Sequence, residues 1–293
     1  MKNRIVIFIG NLLLALLPKK AKKMANNGMT ITDKKSISFI ELFMRKSLLK
    51  KAEEEQNYNQ LSEFHKAFWK KKGAKYFLEN DDSFEKSFLP ECTFLFDLLE
   101  LKLSMEQHNF HTIVEIGCGN GKVLNYLSTK FPDIERFVGI DLSQQQISMN
   151  KNTYVSNTKL EFIASDAFDW VNTHATENMI FVTSRGVLEY FTEPKLLDFF
   201  NKLNNLGKTT FVAIEPNGIH HDLQTNKSSQ PYGYERSFSH NYEALFKTAG
   251  FHLWHNTTKD SGTDFYLRYM AADNYSAITA SELSNRKAVT AQH

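Results

Sequence analysis

Thr112 to Ile116 is a short, almost wholly apolar run that passes without a spacer into Gly117, Cys118, Gly119, Asn120 and Gly121, and Lys122 to Lys130 follows with helical spacing. A buried strand, a glycine-rich turn and a helix start, in that order, leave few folds open. The glycines let the chain turn sharply and let a ligand approach the backbone closely. The helix start adds free N–H groups and a partial positive charge at the same point. Alone, such a turn says only that a nucleotide-like ligand sits at a helix N-terminus.

From Thr112 onward strand and helix patterns alternate, the mark of a parallel sheet with crossover helices. Strands are read at 112–116, 137–140, 160–164, 179–183, 210–215, 251–256 and 265–270, and helices at 122–130, 144–153, 168–171, 194–206 and 242–249. The first three strands each bring an acid to their C-terminal end: Glu115 just before the glycine turn, then Asp141, then Asp166. A carboxylate beside the turn suits a cationic ligand portion better than a phosphate. An acid about 20–25 residues beyond the glycines is placed to grip ribose hydroxyls.

This series resembles the class I S-adenosylmethionine (SAM) dependent methyltransferases over roughly Thr112 to Met270. The resemblance implies an α/β fold with a doubly wound, seven-stranded, mostly parallel sheet of order 3-2-1-4-5-7-6, the seventh strand antiparallel, and an N-terminal helical cap. It implies SAM as cofactor. Glu115, Gly117 and Gly119 would lie around its methionine end, with Cys118 offering only backbone. Asp141, next to Leu142, would bind the ribose, Asp166 and Ala167 the adenine edge, and Thr183 and Ser184 would line the cofactor near the sulfonium. No divalent metal is expected, because no His-Asp-His set stands at ligand spacing.

The N-terminal part is different in kind. Ile5 to Leu17 is apolar except for Gly10 and Asn11, and Pro18 is followed by Lys19, Lys20, Lys22 and Lys23. As a helix this run is about 20 Å long, short of a bilayer core of about 30 Å. Residues 1–51 hold twelve Lys or Arg against Asp33 and Glu41, a balance of +10 in a chain whose net charge is +2, so the remainder carries −8. A basic leader on an acidic body fits contact with anionic lipid rather than with nucleic acid. The leader also resembles the N-termini of bacterial enzymes that assemble cell-surface polysaccharides, which often start with an apolar stretch ending in Leu-Pro-Lys-Lys. With only two cysteines, no disulfide framework is expected, and a reducing, cytoplasmic setting is the simpler reading.

Four segments are therefore read: a membrane-associating leader at 1–28, a helical cap at 29–108, a SAM-binding domain at 109–272 and a disordered tail at 273–293. Asp33 is a candidate cap for the first helix after the leader, and Pro90 divides the aromatic-rich helical stretch from Tyr58 to Met105. The acceptor side would be formed by the cap and by the loops after the fourth and fifth strands. The second of these, Pro216 to His240, is long and carries His220 and His221, either of which could act as general base near neutral pH. Arg185, Tyr232, Tyr234, Arg236 and His240 are candidate acceptor-binding residues, the arginines for an acidic or phosphorylated group. The expected activity is methyl transfer to a hydroxyl of a small molecule or glycan at the cytoplasmic face of the inner membrane. A lipid headgroup or lipid-linked acceptor is the alternative, and a non-catalytic SAM-binding partner protein is the second.

Overall fold

The computed structural model describes residues 2–30, 37–106, 109–262 and 264–275. Four helices come first: α1 (Lys2–Leu16), α2 (Pro18–Asn27), α3 (Phe39–Glu54) and α4 (Tyr58–Glu79). A π-helical turn at Phe84–Phe88 leads into α5 (Leu89–Met105), which has Pro90 in its first turn, where a missing N–H costs nothing. There follow β1 (Thr112–Ile116), α6 (Lys122–Lys130), β2 (Arg136–Asp141), α7 (Gln144–Thr153), β3 (Leu160–Ala164), α8 (Ala167–His174), β4 (Met179–Ser184), α9 (Glu193–Asn205) and β5 (Thr209–Gly218). A short hairpin, β6 (Gln230–Tyr232) and β7 (Ser237–Ser239), precedes α10 (Tyr242–Thr248), β8 (His252–Asp260) and β9 (Phe265–Asp273).

The main sheet has the order β3-β2-β1-β4-β5-β9-β8. β1 to β5 are mutually parallel, while β9 runs antiparallel to both β5 and β8. This is the expected 3-2-1-4-5-7-6 arrangement, with the small hairpin inserted before the sixth strand of the sheet. Each central strand feeds both faces in turn. Ile180 and Val182 of β4 join a core with Leu95, Leu99, Leu124 and Ile147, from α5, α6 and α7. Met179 and Phe181 of the same strand join the opposite core with Trp170, Phe199 and Phe246, from α8, α9 and α10. A sheet covered on both sides buries its strands along their whole length, and β1 and β4 are buried at every position except Ser184.

The leader is two helices of the fold rather than a free extension. α1 lies on α3 at Gly10, where a Cβ would sit 2.1 Å from Ser47 Oγ and 2.3 Å from the Phe43 carbonyl oxygen, so only glycine permits the crossing. Ser47 Oγ donates to the Ile7 carbonyl at 2.9 Å across the same contact. A third core joins Met29, Leu49, Ala52, Leu61 and Phe64 to Phe238 of β7, so the hairpin is gripped by the N-terminal helices.

Several element bounds differ from the sequence reading, two of them for a visible physical reason. α3 is capped by Ser38, whose Oγ accepts from Glu41 N at 3.3 Å; Asp33 lies outside the described residues. β9 runs three residues beyond Met270, because the antiparallel register with β5 pairs Thr210 with Asp273. Asn274 continues the attachment through hydrogen bonds to Thr209, Asn204 and Gly207, so the first three residues assigned to the tail belong to the fold; residues 276–293 lie outside the described part.

Asp273 takes part in the one fully buried ammonium network among the described residues. Lys102 of α5, 0 % exposed, lies 2.6 Å from Glu106 and 3.0 Å from Asp273, and its ammonium faces the Trp254 and Tyr275 rings. Removing one member of a buried pair leaves charge without a partner and is strongly destabilising. Lys102→Met is expected to lower unfolding free energy by about 3 kcal/mol, read from urea denaturation; an unchanged midpoint would show that the network holds nothing.

Candidate active site

Parallel order reverses on either side of β1, and the cleft opens at the strand ends there, as in other open α/β sheets. One cavity of about 980 Å³ occupies it. Its floor is the glycine turn, in which Gly117 and Gly119 have φ of +70° and +49°. A Cβ at Gly117 would come within 2.7 Å of Val187, and one at Gly119 within 2.5 Å of the Phe77 ring of α4. The turn is therefore packed from above by the cap as well as shaped from below.

Asp141 stitches this floor together. Its Oδ2 accepts from Gly119 N at 3.1 Å and its Oδ1 from Ser143 N at 2.8 Å, while burial raises the carboxyl above its usual range. Both oxygens keep acceptor capacity toward the cavity. Asp166 caps α8 through Phe168 N at 2.9 Å, and its other oxygen receives Lys66 Nζ of α4 at 2.6 Å. Glu115 lies behind the wall, 0 % exposed. Burial pushes its carboxyl up to about 8, Ser184 Oγ donates to Oε1 at 2.6 Å, and Oε2 has no hydrogen-bond partner. A cation brought to this wall would favour the ionised form and answer that unmatched acceptor. The residues present thus fit SAM: a buried acid behind the wall at the cationic end, and acids lining the cavity for the nucleoside.

Of the residues expected around the cofactor, Gly117, Cys118, Gly119, Asp141, Leu142, Asp166, Ala167 and Ser184 line the cavity. Glu115 and Thr183 are buried behind it. Four cap residues join them, of which Lys66, Trp69 and Phe77 were not singled out for the site by the sequence: Lys66, Trp69, Tyr76 and Phe77. Helical periodicity places them only on an α-helix, and nothing local says that the helix crosses a cleft.

The acceptor side departs further from expectation. His220 is exposed and His221 is buried, and neither lines the cavity. His221 Nδ1 lies 2.9 Å from Ser239 Oγ and Nε2 lies 3.1 Å from the Asn226 carbonyl, so both ring nitrogens serve the loop. His240 is also buried outside the cavity, bonded to Ser229 Oγ at 2.6 Å, and burial depresses its pKa to about 3, which keeps it neutral. Arg236 turns away to pair with Glu53 of α3. Arg185 does line the cavity but is bound to Glu91 at 3.2 Å. Tyr232 and Tyr234 line it as expected, Tyr234 under the Arg45 guanidinium at 4.8 Å.

Carboxylates take the place of the expected histidines. Glu189, Glu235 and the tyrosines Tyr76, Tyr190 and Tyr232 form the far wall. Tyr232 donates its hydroxyl to Glu189 Oε2 at 2.5 Å. Behind them Glu215 of β5, pushed up to about 8 by burial, accepts from Val187 N and Leu188 N at 3.0 Å each. It pins the turn in which Arg185 and Gly186 adopt φ of +71° and +86°.

Residues 113–209 match the family described as a methyltransferase domain. No relative among curated proteins matches the sequence. Among solved structures, a SAM-dependent methyltransferase from Clostridium acetobutylicum ATCC 824 is 14% identical, with 67% of this chain and 97% of that chain covered at a TM-score of 0.46. The N-methyltransferase NodS from Bradyrhizobium japonicum WM9, in complex with S-adenosylhomocysteine, is 16% identical with 69% and 97% covered at 0.44. Magnesium protoporphyrin IX methyltransferase from Synechocystis PCC 6803, with bound SAM, is 11% identical with 62% and 78% covered at 0.42.

In Asp141→Asn an amide nitrogen replaces one acceptor oxygen, so a backbone N–H of the cleft or a cofactor hydroxyl loses its partner. At about 1–3 kcal/mol for each unmatched group, the Kd for S-adenosylhomocysteine is expected to rise about 10- to 100-fold by calorimetry; unchanged affinity would remove Asp141 from the cofactor site. The matched stretch, the strand order and the acid-lined cleft agree with one another, and residues 113–209 match a methyltransferase domain set on this seven-stranded sheet.

Proposed function

We propose that this enzyme transfers a methyl group from SAM to a hydroxyl of a small molecule or glycan while docked on an anionic membrane surface. The observation that carries the acceptor reading is the continuity of the cavity. One space runs from the glycine turn to the Glu189–Tyr232 wall, and its volume is at the upper end for small-molecule sites, which leaves room for two ligands. When bound, SAM supplies a methyl group already activated by positive sulfur. What remains for the protein is to align the acceptor and receive its proton. Tyrosine rings and carboxylates suit a polyhydroxyl acceptor, whose ring faces stack and whose hydroxyls donate. The pairing of Arg185 with Glu91 and of Arg236 with Glu53 argues against a phosphate or carboxylate as the main handle.

The membrane reading rests on the outer face of α1. Ile5, Phe8, Leu12 and Leu16 recur at helical spacing and are 52–72 % exposed, and Phe39 and Ile40 at the start of α3 are exposed as well. Lys19, Lys22 and Lys23 of α2 are exposed immediately beyond the stripe. Apolar residues beside lysines match the chemistry of an anionic lipid interface. No described helix is long and apolar enough to cross a bilayer. The same face supports a lipid headgroup or lipid-linked acceptor as the second reading.

The full chain is expected to sediment with vesicles of phosphatidylcholine and phosphatidylglycerol and not with phosphatidylcholine alone. At about 2 kcal/mol for each buried Phe or Leu, Phe8→Asp with Leu12→Asp should weaken that binding by at least about a hundredfold. No binding by the unaltered chain, or equal binding by the double variant, would sink the docking proposal. Tritium from methyl-labelled SAM, offered with a membrane extract, should appear in ether linkages of the glycan fraction; label confined to amines would overturn the hydroxyl reading.

A further inference from the structure

Glu235 has no role in holding the fold together that its contacts reveal. It sits in the turn of the β6–β7 hairpin, between Tyr234 and Arg236, and lines the cavity. Among the described residues no hydrogen bond or salt bridge is made to its carboxylate. By contrast, the other lining carboxylates that are shielded from solvent are engaged: Asp141 by Gly119 and Ser143, Asp166 by Phe168 and Lys66, Glu189 by Tyr232. The hairpin holds Glu235 in place from both ends. Phe238 anchors β7 in the core of the N-terminal helices, and Gly218 of β5 has no room for a Cβ against Tyr232 of β6, which would lie 2.7 Å away.

We propose that Glu235 takes the proton from the acceptor hydroxyl, and that Glu189, fixed by Tyr232, holds the acceptor beside it. This rests on the hydroxyl reading above and adds the base that His220 and His221 do not provide. In the step, the acceptor O–H bond breaks and its proton passes to a Glu235 oxygen. The electron pair on the acceptor oxygen forms the new O–C bond, and the C–S bond of the donor breaks with its pair retained on sulfur. One carboxylate and one sulfonium become a neutral acid, an ether and a thioether, so charge balances.

The surroundings tune this group for the task. Loss of water pushes the Glu235 carboxyl up to about 8, with Glu189 adding repulsion and Arg45 opposing both. Arg45 reaches it from α3, Tyr76 from α4, Glu189 and Tyr190 from the 3-10 turn at Leu188–Tyr190, and Tyr232 from β6. Arg45 does not bind the carboxylate directly; its Nε donates to the Met29 carbonyl. A carboxylate of this basicity near neutral pH accepts a proton far better than an exposed one.

Two measurements on the full chain test this. With S-adenosylhomocysteine bound, dicyclohexylcarbodiimide, which reacts with protonated carboxyls in apolar surroundings, should label Glu235 at pH 6 and about tenfold less at pH 9, mapped by peptide mass. Absence of label at Glu235, or equal label at both pH values, overturns the proposal whatever the acceptor is. In the tritium assay, kcat/KM of the unaltered chain should climb about tenfold per pH unit and level off near pH 8, because the base works only when unprotonated. Glu235→Gln should keep S-adenosylhomocysteine affinity within about twofold, lose at least about a hundredfold in rate and lose the pH dependence. Glu235→Asp should recover part of the rate with the inflection moved to lower pH. If unaltered chain forms ethers and Glu235→Gln does so at full rate, the base assignment fails while the hydroxyl reading stands. If no ether forms at all, the hydroxyl reading fails and takes the assignment with it.

Discussion

Two backbone N–H groups, from Gly119 and Ser143, point at the Asp141 carboxylate, one on each oxygen. Through them a single side chain joins the glycine turn, the end of β2 and the start of α7. The turn needs that help, since Gly117, Gly119 and Gly121 all sit at positive φ, where backbone freedom in the unfolded chain is greatest and so most is lost on folding. The cleft is therefore a place where conformational entropy has been spent for shape. Packing by Phe77 and Val187 over the same glycines keeps that shape closed to any side chain, and leaves the exposed backbone and the acids to meet a ligand.

The walls above this floor depend on residues far away in sequence. α4 brings Lys66 across to Asp166, 100 residues distant, and the β6–β7 hairpin carries Glu235 and Tyr232 in from the end opposite. Phe238 couples these two walls, because it is buried among Leu49, Leu61 and Phe64 while its own strand backs the tyrosine wall. Cofactor floor and acceptor wall thus belong to different structural layers, joined through the N-terminal helices. Variation in the acceptor wall can proceed without disturbing the Asp141 joint.

The cofactor half could be read from sequence because its signals are local. A strand, a turn and a helix lie in ten consecutive residues or so, and each acid closes its own strand; the expected bounds of β1, α6, α7 and β3 coincide with those observed. The acceptor half could not. The 216–240 segment carries few apolar residues, so its three-residue strands fall below any periodic signal, and its histidines drew attention for their chemistry although their ring nitrogens are turned to Ser239, Asn226 and Ser229. Glu235 is an ordinary glutamate until the fold strips away its water. The end of β9 was missed for a similar reason: Asp273 reads as polar tail, and only its partner Lys102, on α5, makes it core.

Gly10 shapes what the exposed stripe on α1 can mean. A flexible leader would tether a domain to a surface and leave it free to tumble. Here the backbone of α1 presses on α3 with no side chain between, and Ser47 locks the crossing to the Ile7 carbonyl. Whatever surface receives Phe8 and Leu12 therefore receives the whole molecule in one attitude. The cleft then faces a constant direction relative to that surface, and an acceptor confined to the same surface is met by a two-dimensional search whose rate follows its density per unit area rather than its concentration in bulk.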